Sequence, residues 1–150
     1  MDATDRKILA HLQQEGRLSA TDLAERVGLS LSPCHRRLRA LEQAGVITDY
    51  RAVIDPAKLG LGFSAIVFAT LREANRDTVE AFENALPKVL EIIQAQRLFG
   101  DPDYMLNVIT RDLAAFQRLY DEKLSTLPHV LRLSSTLVMK TVLQDRPLPI

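Results

Sequence analysis

The stretch Ser19-Ala-Thr-Asp-Leu-Ala-Glu-Arg-Val-Gly-Leu-Ser-Leu-Ser-Pro-Cys-His-Arg-Arg37 decides how the first part of this chain is read. Ser19 and Asp22 have capping-box spacing, so a helix opens after Ser19 with Leu23, Ala24 and Val27 on its inner face. Gly28 suits the left-handed residue after a helix end, and Leu29 supplies the apolar contact that follows it. The next helix begins within Ser30–Pro33, where either serine can cap it and Pro33 is tolerated in the first turn. It runs to Gly45. Cys34, Leu38 and Leu41 are spaced by four and three and share one face; Ser32, Arg36, Arg39 and Gln43 take the opposite face. His35 and Arg37 lie on the flanks.

Ile8, Leu9 and Leu12 form the apolar stripe of an earlier helix that ends at Gly16. After Gly45, Val46-Ile47 and Tyr50-Arg-Ala-Val-Ile54 are β-prone runs separated by Thr48-Asp49, which reads as a small hairpin. Two helices joined by a Gly-containing turn and followed by a hairpin match a winged helix-turn-helix, whose second helix presents its N-terminal half to base edges. Arginine suits that task, since its planar fork donates twice to guanine and also neutralises phosphate. Ser30, Ser32, His35, Arg36, Arg37, Arg39 and, on the expected wing, Arg51 are the candidate DNA contacts.

Composition agrees with an ordered globular chain: 150 residues, 47% hydrophobic, 25% charged and a formal net charge of zero. Neutrality argues against a non-specific polyanion binder, yet the charge is uneven. No acid falls between Glu25 and Glu42, whereas Arg26, Arg36, Arg37 and Arg39 do. No apolar run is long enough for a membrane span, and the N-terminus lacks the apolar core of a signal peptide. With one cysteine, Cys34, there is no internal disulfide and no multi-cysteine metal site. Cys34 lies on the apolar stripe and reads as a small core residue. The expectation is a cytoplasmic protein without a cofactor or metal. His11 and His129 have no spaced partners, and no nucleophile–base pair or phosphate loop is present, so no catalytic residue is assigned.

Asp55–Gly62 breaks the pattern and reads as a linker between residues 1–54 and 63–150. Beyond it, strands are expected at Phe63–Leu71, Val89–Phe99, Tyr104–Thr110 and Val130–Leu143. Helices are expected at Thr78–Leu86 and Leu113–Leu127. The order β-α-β-β-α-β implies a ferredoxin-like arrangement, giving an α+β protein overall. Ile66-Val-Phe68, Ile92-Ile93 and Leu137-Val-Met139 are apolar on more than one side, so a partner sheet and a homodimer are expected. Two-fold symmetry would match a palindromic operator. In Gly100-Asp-Pro-Asp-Tyr104 the turn backbone suits a ligand carboxylate, and Asp101 or Asp103 suits an α-ammonium, the two groups of an amino acid. Arg97, just ahead of the turn, and Tyr104, closing it, are further candidates. The opposing reading is that Asp and Pro serve the turn itself.

These motifs carry a resemblance. Asp5-Arg-Lys-Ile-Leu9, Leu23–Ser30, Ser32–Arg37, Leu41-Glu-Gln-Ala-Gly-Val-Ile47 and Gly100–Tyr104 resemble the Lrp/AsnC (feast/famine) regulators, in order and over nearly the whole chain. The resemblance implies a bacterial or archaeal, nucleoid-associated transcription regulator. It implies a double-stranded DNA partner, a small amino-acid effector, and dimers that often build tetramers or octamers. It also places Leu113, Thr136, Leu137 and Val138 with the Gly100–Tyr104 turn in an effector pocket between dimers. Two other classes compete: an effector-independent architectural DNA binder of the same fold, and a ligand-binding or enzymatic ferredoxin-like domain with a helical appendage.

Overall fold

The computed structural model describes residues 1–150 and divides into two compact units, Met1–Ile54 with Val142–Ile150, and Asp55–Thr141. The first unit holds three helices: α1 (Ala3–Gln14), α2 (Ala20–Val27) and α3 (Leu31–Gln43). Helix α1 starts in a reciprocal cap, in which the Asp2 carboxylate accepts from Asp5 N–H and the Asp5 carboxylate from Asp2 N–H. Ser19 caps α2 by accepting from Asp22 N–H at 3.1 Å. Gly28 ends it at φ 72°, with Leu29 N–H donating to Ala24. That geometry fits a glycine because a β-carbon would be strained there. Ser30 stands at the N-cap of α3 without a side-chain cap bond. Ile8, Leu23, Ala24, Cys34 and Leu41 form the core, ringed by Leu12, Val27, Leu38 and Ile47.

The expected wing hairpin is not formed. Residues 46–54 contain no strand, and Val53 and Ile54 lie exposed. A two-residue hairpin needs positive φ at one or both central residues, normally from Gly or Asn. Thr48-Asp49 supplies neither, and neither residue takes positive φ. The segment is held instead by local polar contacts: Val46 and Ile47 N–H donate to Leu41, and Tyr50 donates its hydroxyl to Glu42.

The second unit opens with a 3₁₀ turn at Pro56–Leu59, capped by Asp55, inside the expected linker. It then runs β1 (Phe63–Leu71), α4 (Arg76–Ala85), β2 (Ile92–Arg97), β3 (Tyr104–Thr110), α5 (Leu113–Leu119) and β4 (Val130–Leu137). The four-stranded sheet has the order β2-β3-β1-β4 with every neighbour antiparallel, the split arrangement the element order implies. Central β1 alternates cleanly: Ala65, Val67, Ala69 and Leu71 are buried, and the residues between them only half so. They pack with Phe82, Tyr104, Leu106, Val108, Phe116 and Leu124 into one core. The opposite face carries Ile66, Phe68 and Met105 beside Gln96, Asn107, Ser134 and Thr136, by the strand pairing.

Three expected boundaries move. The helix expected over Leu113–Leu127 loosens to a π-turn at Tyr120–Leu124, where Ser125 N–H reaches back to Tyr120. β2 is shorter than Val89–Phe99, because Pro87 starts a 3₁₀ turn that carries Val89 into the core. β4 stops at Leu137 rather than Leu143, since its partner runs out: Leu137 pairs with Ala65 and Val138 N–H donates to Ser64, near the start of β1. The last nine residues accordingly leave the sheet and group with the first unit.

Leu106 is fully buried in the middle of β3. Leu106→Ala is expected to cost about 2–5 kcal/mol through reduced burial and the cavity left behind, measured by urea unfolding.

Candidate nucleic-acid and effector sites

On α3 the buried stripe fixes what faces outward. Cys34 and Leu41 point into the core, whereas Ser32, His35, Arg36, Arg39 and Gln43 are exposed. Burial pushes the Cys34 thiol above its ordinary value, as expected for a packing residue. No carboxylate lies within ion-pair distance of Arg36 or Arg39, although Arg26 meets Glu15 at 2.8 Å on the same unit. Ser30, at the helix start, is exposed as well.

Two of the candidate DNA contacts are occupied inside the chain. Arg37 sends Nη1 to Asp2 at 2.7 Å and to Asp5 at 2.8 Å, which ties α3 to the capped end of α1. These bonds raise the Arg37 pKa, with Asp5 contributing most. Arg51 donates to Asp49 at 2.7 Å, an exposed pair that holds the arginine beside its own loop.

At one end of the sheet, the turn Gly100–Tyr104 is clasped onto β1. Asp103 N–H donates to Ala69, and the Asp103 carboxylate accepts from Leu71 N–H at 2.7 Å. Leu98 N–H closes the loop onto the Asp103 carbonyl. Gly100 takes φ 140°, a conformation L side chains rarely adopt. Tyr104 turns inward: it is 2% exposed, its ring lies 4.6 Å from that of Phe82, and its hydroxyl donates to Glu83 at 2.8 Å. Burial, with the Glu83 hydrogen bond, pushes its pKa up to about 12. Tyr104 is thus a core residue, placed there because strand alternation puts it on the face of Leu106 and Val108. Arg97 sits opposite Tyr104 in the sheet, 4.0 Å from Glu83.

Asp101 is the turn's outward carboxylate. It accepts from the Thr70 hydroxyl at 3.2 Å and lies 3.6 Å from the Arg132 guanidinium. These groups border an open cleft of about 690 Å³ lined by residues 70–74, Asp101, Asp103, Leu131 and Arg132. It combines a carboxylate, a guanidinium and a hydroxyl beside apolar Leu71 and Leu131, a set able to hold both charged ends of an amino acid. Arg132 and Thr70 are not among the residues expected from the sequence. The register Thr70↔Arg132 brings them together, and the one available signal is an arginine inside an otherwise apolar and small-polar strand.

The remaining candidates lie elsewhere. Leu113 begins α5 just past the far end of β3, and Leu137 and Val138 lie beside Ala65 and Ser64. Thr136 faces the helix-free side next to Ile66. β3 alone spans roughly 20 Å at the usual rise per residue, so one chain does not bring this set to the Gly100–Tyr104 turn. No cluster of three or more His, Cys, Asp or Glu side chains is present, and no helix is long and apolar enough to cross a membrane.

Comparison with known families resolves what these units are. A winged helix-turn-helix DNA-binding model matches residues 1–48, and the Lrp/AsnC ligand binding domain matches residues 64–148. The chain belongs to the Lrp/AsnC family. Within it, a proline dehydrogenase transcriptional activator of Rhodobacter capsulatus is 39% identical over 145 residues, 97% of this chain and 94% of that protein. The leucine-responsive regulatory protein of Escherichia coli K12 is 38% identical over 150 residues, 100% of this chain and 92% of that protein. Among solved structures, a transcriptional regulator of Neisseria meningitidis in complex with L-Met superposes with a TM-score of 0.93 at 36% identity, covering 99% and 96% of the two chains. This Lrp/AsnC chain is therefore a DNA-binding transcriptional regulator with a ligand-binding domain.

Asp103→Ala strips the acceptor from Leu71 N–H and is expected to cost about 1–3 kcal/mol without any ligand. Asp101→Ala, at an exposed position, is expected to stay within about 0.5 kcal/mol. Urea unfolding of both variants separates the two roles.

The Asp2 carboxylate is held below its ordinary value of 3.8, first by Asp5 N–H and then by Arg37. A carboxylate lowered in the folded state stabilises above its unfolded value and loses that contribution as the pH falls through the folded one. The cap is therefore whole at neutral pH and fades only below 3.8. Arg37→Ala should move the acid loss of helical circular dichroism to higher pH.

Proposed function

We propose that this regulator binds a palindromic operator as a homodimer through α3. Arg36 and Arg39 contact bases and phosphates, Ser30, Ser32 and His35 contact the backbone near the helix start, and Arg51 reaches a phosphate by exchanging Asp49 for it. One observation carries this reading: Arg36 and Arg39 share an exposed face of α3 with no carboxylate of the chain to neutralise them. Arg37 serves as the tie between α3 and α1.

The effector is an amino acid. Asp101 holds its ammonium and Arg132 its carboxylate, with Gly100 and the Asp103-clasped backbone shaping the cleft and Arg97 at its margin. Leu113, Thr136, Leu137 and Val138 complete the site from a second copy, which supplies the opposite end of its own sheet. The mixed apolar and polar helix-free faces pair the protomers, and dimers join into tetramers or octamers at the shared sites. An effector between dimers shifts assembly only by its differential affinity for the two states, and that shift resets which half-sites are engaged together. The protein acts in the cytoplasm at the nucleoid and performs no catalysis. Proline, leucine and methionine, named for three relatives, are the first effectors to try.

Selection from a random duplex library supplies the operator probe. Arg36→Ala and Arg39→Ala are each expected to weaken binding at least tenfold and to lower the salt slope by about one for each phosphate no longer neutralised. Unchanged affinity and slope in both variants would sink the reading. In a thermal-shift screen of the twenty amino acids, a binder at a hundredfold excess over its Kd should add about 2.7 kcal/mol of stability. Asp101→Ala and Arg132→Ala should abolish that shift. A chain that binds the duplex while ignoring all twenty is an architectural binder instead.

A further inference from the structure

The C-terminal segment Val142-Leu-Gln-Asp-Arg-Pro-Leu-Pro-Ile150 takes no part in the sheet, yet it is not loose. Leu148 N–H donates to Gln13 Oε1 at 2.6 Å, and Gln13 Nε2 donates to the Leu148 carbonyl at 3.4 Å. One side-chain amide thus reads both backbone groups of one residue, as a neighbouring strand would. The surrounding sequence prepares Leu148 for this. Pro147 and Pro149 fix their own φ and carry no N–H, so Leu148 presents the only donor of the three, and Ile150 N–H folds back onto the Leu148 carbonyl at 3.0 Å.

The contact is built to open. All of residues 142–150 are exposed, with Leu148 at 70%, so almost no apolar burial holds them. Segments held by a few solvent-exposed hydrogen bonds belong to the low-stability end of a fold. Its position gives opening a consequence. Gln13 lies in the last turn of α1, and the first turn of α1 holds α3 through Asp2, Asp5 and Arg37. In the other direction only Met139, Lys140 and Thr141 separate the segment from Val138, the residue bonded to Ser64 at the end of β4. A connection of that length spans at most roughly 14 Å, so it transmits displacement with little slack.

We propose that residues 142–150 form a releasable strap on α1, coupling the end of β4 to the helix that carries the DNA contacts. Release follows from effector binding at Thr136–Val138, so the trigger rests on the effector site proposed above; the strap itself does not.

The test uses the full chain, Gln13→Ala, a chain ending at Thr141, and that truncated chain carrying Gln13→Ala. Alanine keeps α1 helical, so the change is confined to the amide pair. Amide exchange at Leu148 should be at least tenfold faster in Gln13→Ala than in wild type. Affinity for the selected duplex should change at least threefold, equally in Gln13→Ala and in the truncated chain, with no further change in the double variant. The duplex response to whichever of L-leucine, L-methionine or L-proline shifts the wild-type melting temperature should vanish in both single variants. The melting shift itself should persist, because the effector still binds. Unchanged Leu148 exchange in Gln13→Ala overturns the strap, as does wild-type duplex affinity in the truncated chain. A full effector response without the strap overturns the coupling. If no amino acid moves the wild-type melting temperature, the effector reading fails by itself, and the exchange and unliganded affinity still decide the strap.

Discussion

The Asp103 carboxylate and its bond to Leu71 N–H govern where everything at the cleft end of the sheet can be. β1 is central and needs partners on both edges along its length, but β3 begins only opposite Ala69. Asp103 extends the ladder past that point. Its N–H serves Ala69, and its side chain serves Leu71, in place of a further strand residue. An unpaired amide at buried Leu71 would cost more than the bond contributes when made, so the turn cannot drift without destabilising the central strand. Asp101 comes to rest beside Thr70 because Asp103 is fixed two residues later. Register on the other edge then brings Arg132 to the same place. Of the two turn carboxylates, Asp103 is thus structural, and Asp101 is the one exposed to the cleft.

What was legible in the sequence was local punctuation. Ser19, Gly28 and the spacing of Cys34, Leu38 and Leu41 fix α2, the turn and α3 without help from distant residues, and the alternation of β1 shows equally well. What escaped depends on partners far along the chain. Arg37 looks like a flanking DNA contact until Asp2 and Asp5 are seen to hold its Nη1. Tyr104 looks like part of the ligand turn until strand pairing turns it toward Phe82 and Glu83. β4 reads as continuous to Leu143 because apolar and β-prone residues recur through Leu137-Val-Met139 and Val142-Leu143, yet a strand lasts only as long as its neighbour. The wing differs in kind: its composition is β-prone, but neither Thr48 nor Asp49 takes the positive φ that a two-residue hairpin turn uses.

Charge is the last link between these parts, and it works by distance. The chain sums to zero, which taken alone would argue against a polyanion partner. Screening limits exposed charges to about 8 Å at physiological ionic strength, so the potential at the exposed face of α3 is set by groups close to it rather than by the sum over the chain. On that helix Arg37 is neutralised by two carboxylates, whereas Arg36 and Arg39 have none nearby. Using one arginine to lock α3 against α1 removes a charge from the exposed face. It also fixes the helix backbone from which the other two project. The same division operates at the cleft, where Asp103 secures the backbone and leaves Asp101 facing Arg132. In both units a residue tied into the fold stands close to an exposed charged one: Arg37 beside Arg36, and Asp103 two residues from Asp101. A substitution at the tied member therefore removes bonds the fold depends on, while one at its exposed neighbour leaves the fold intact.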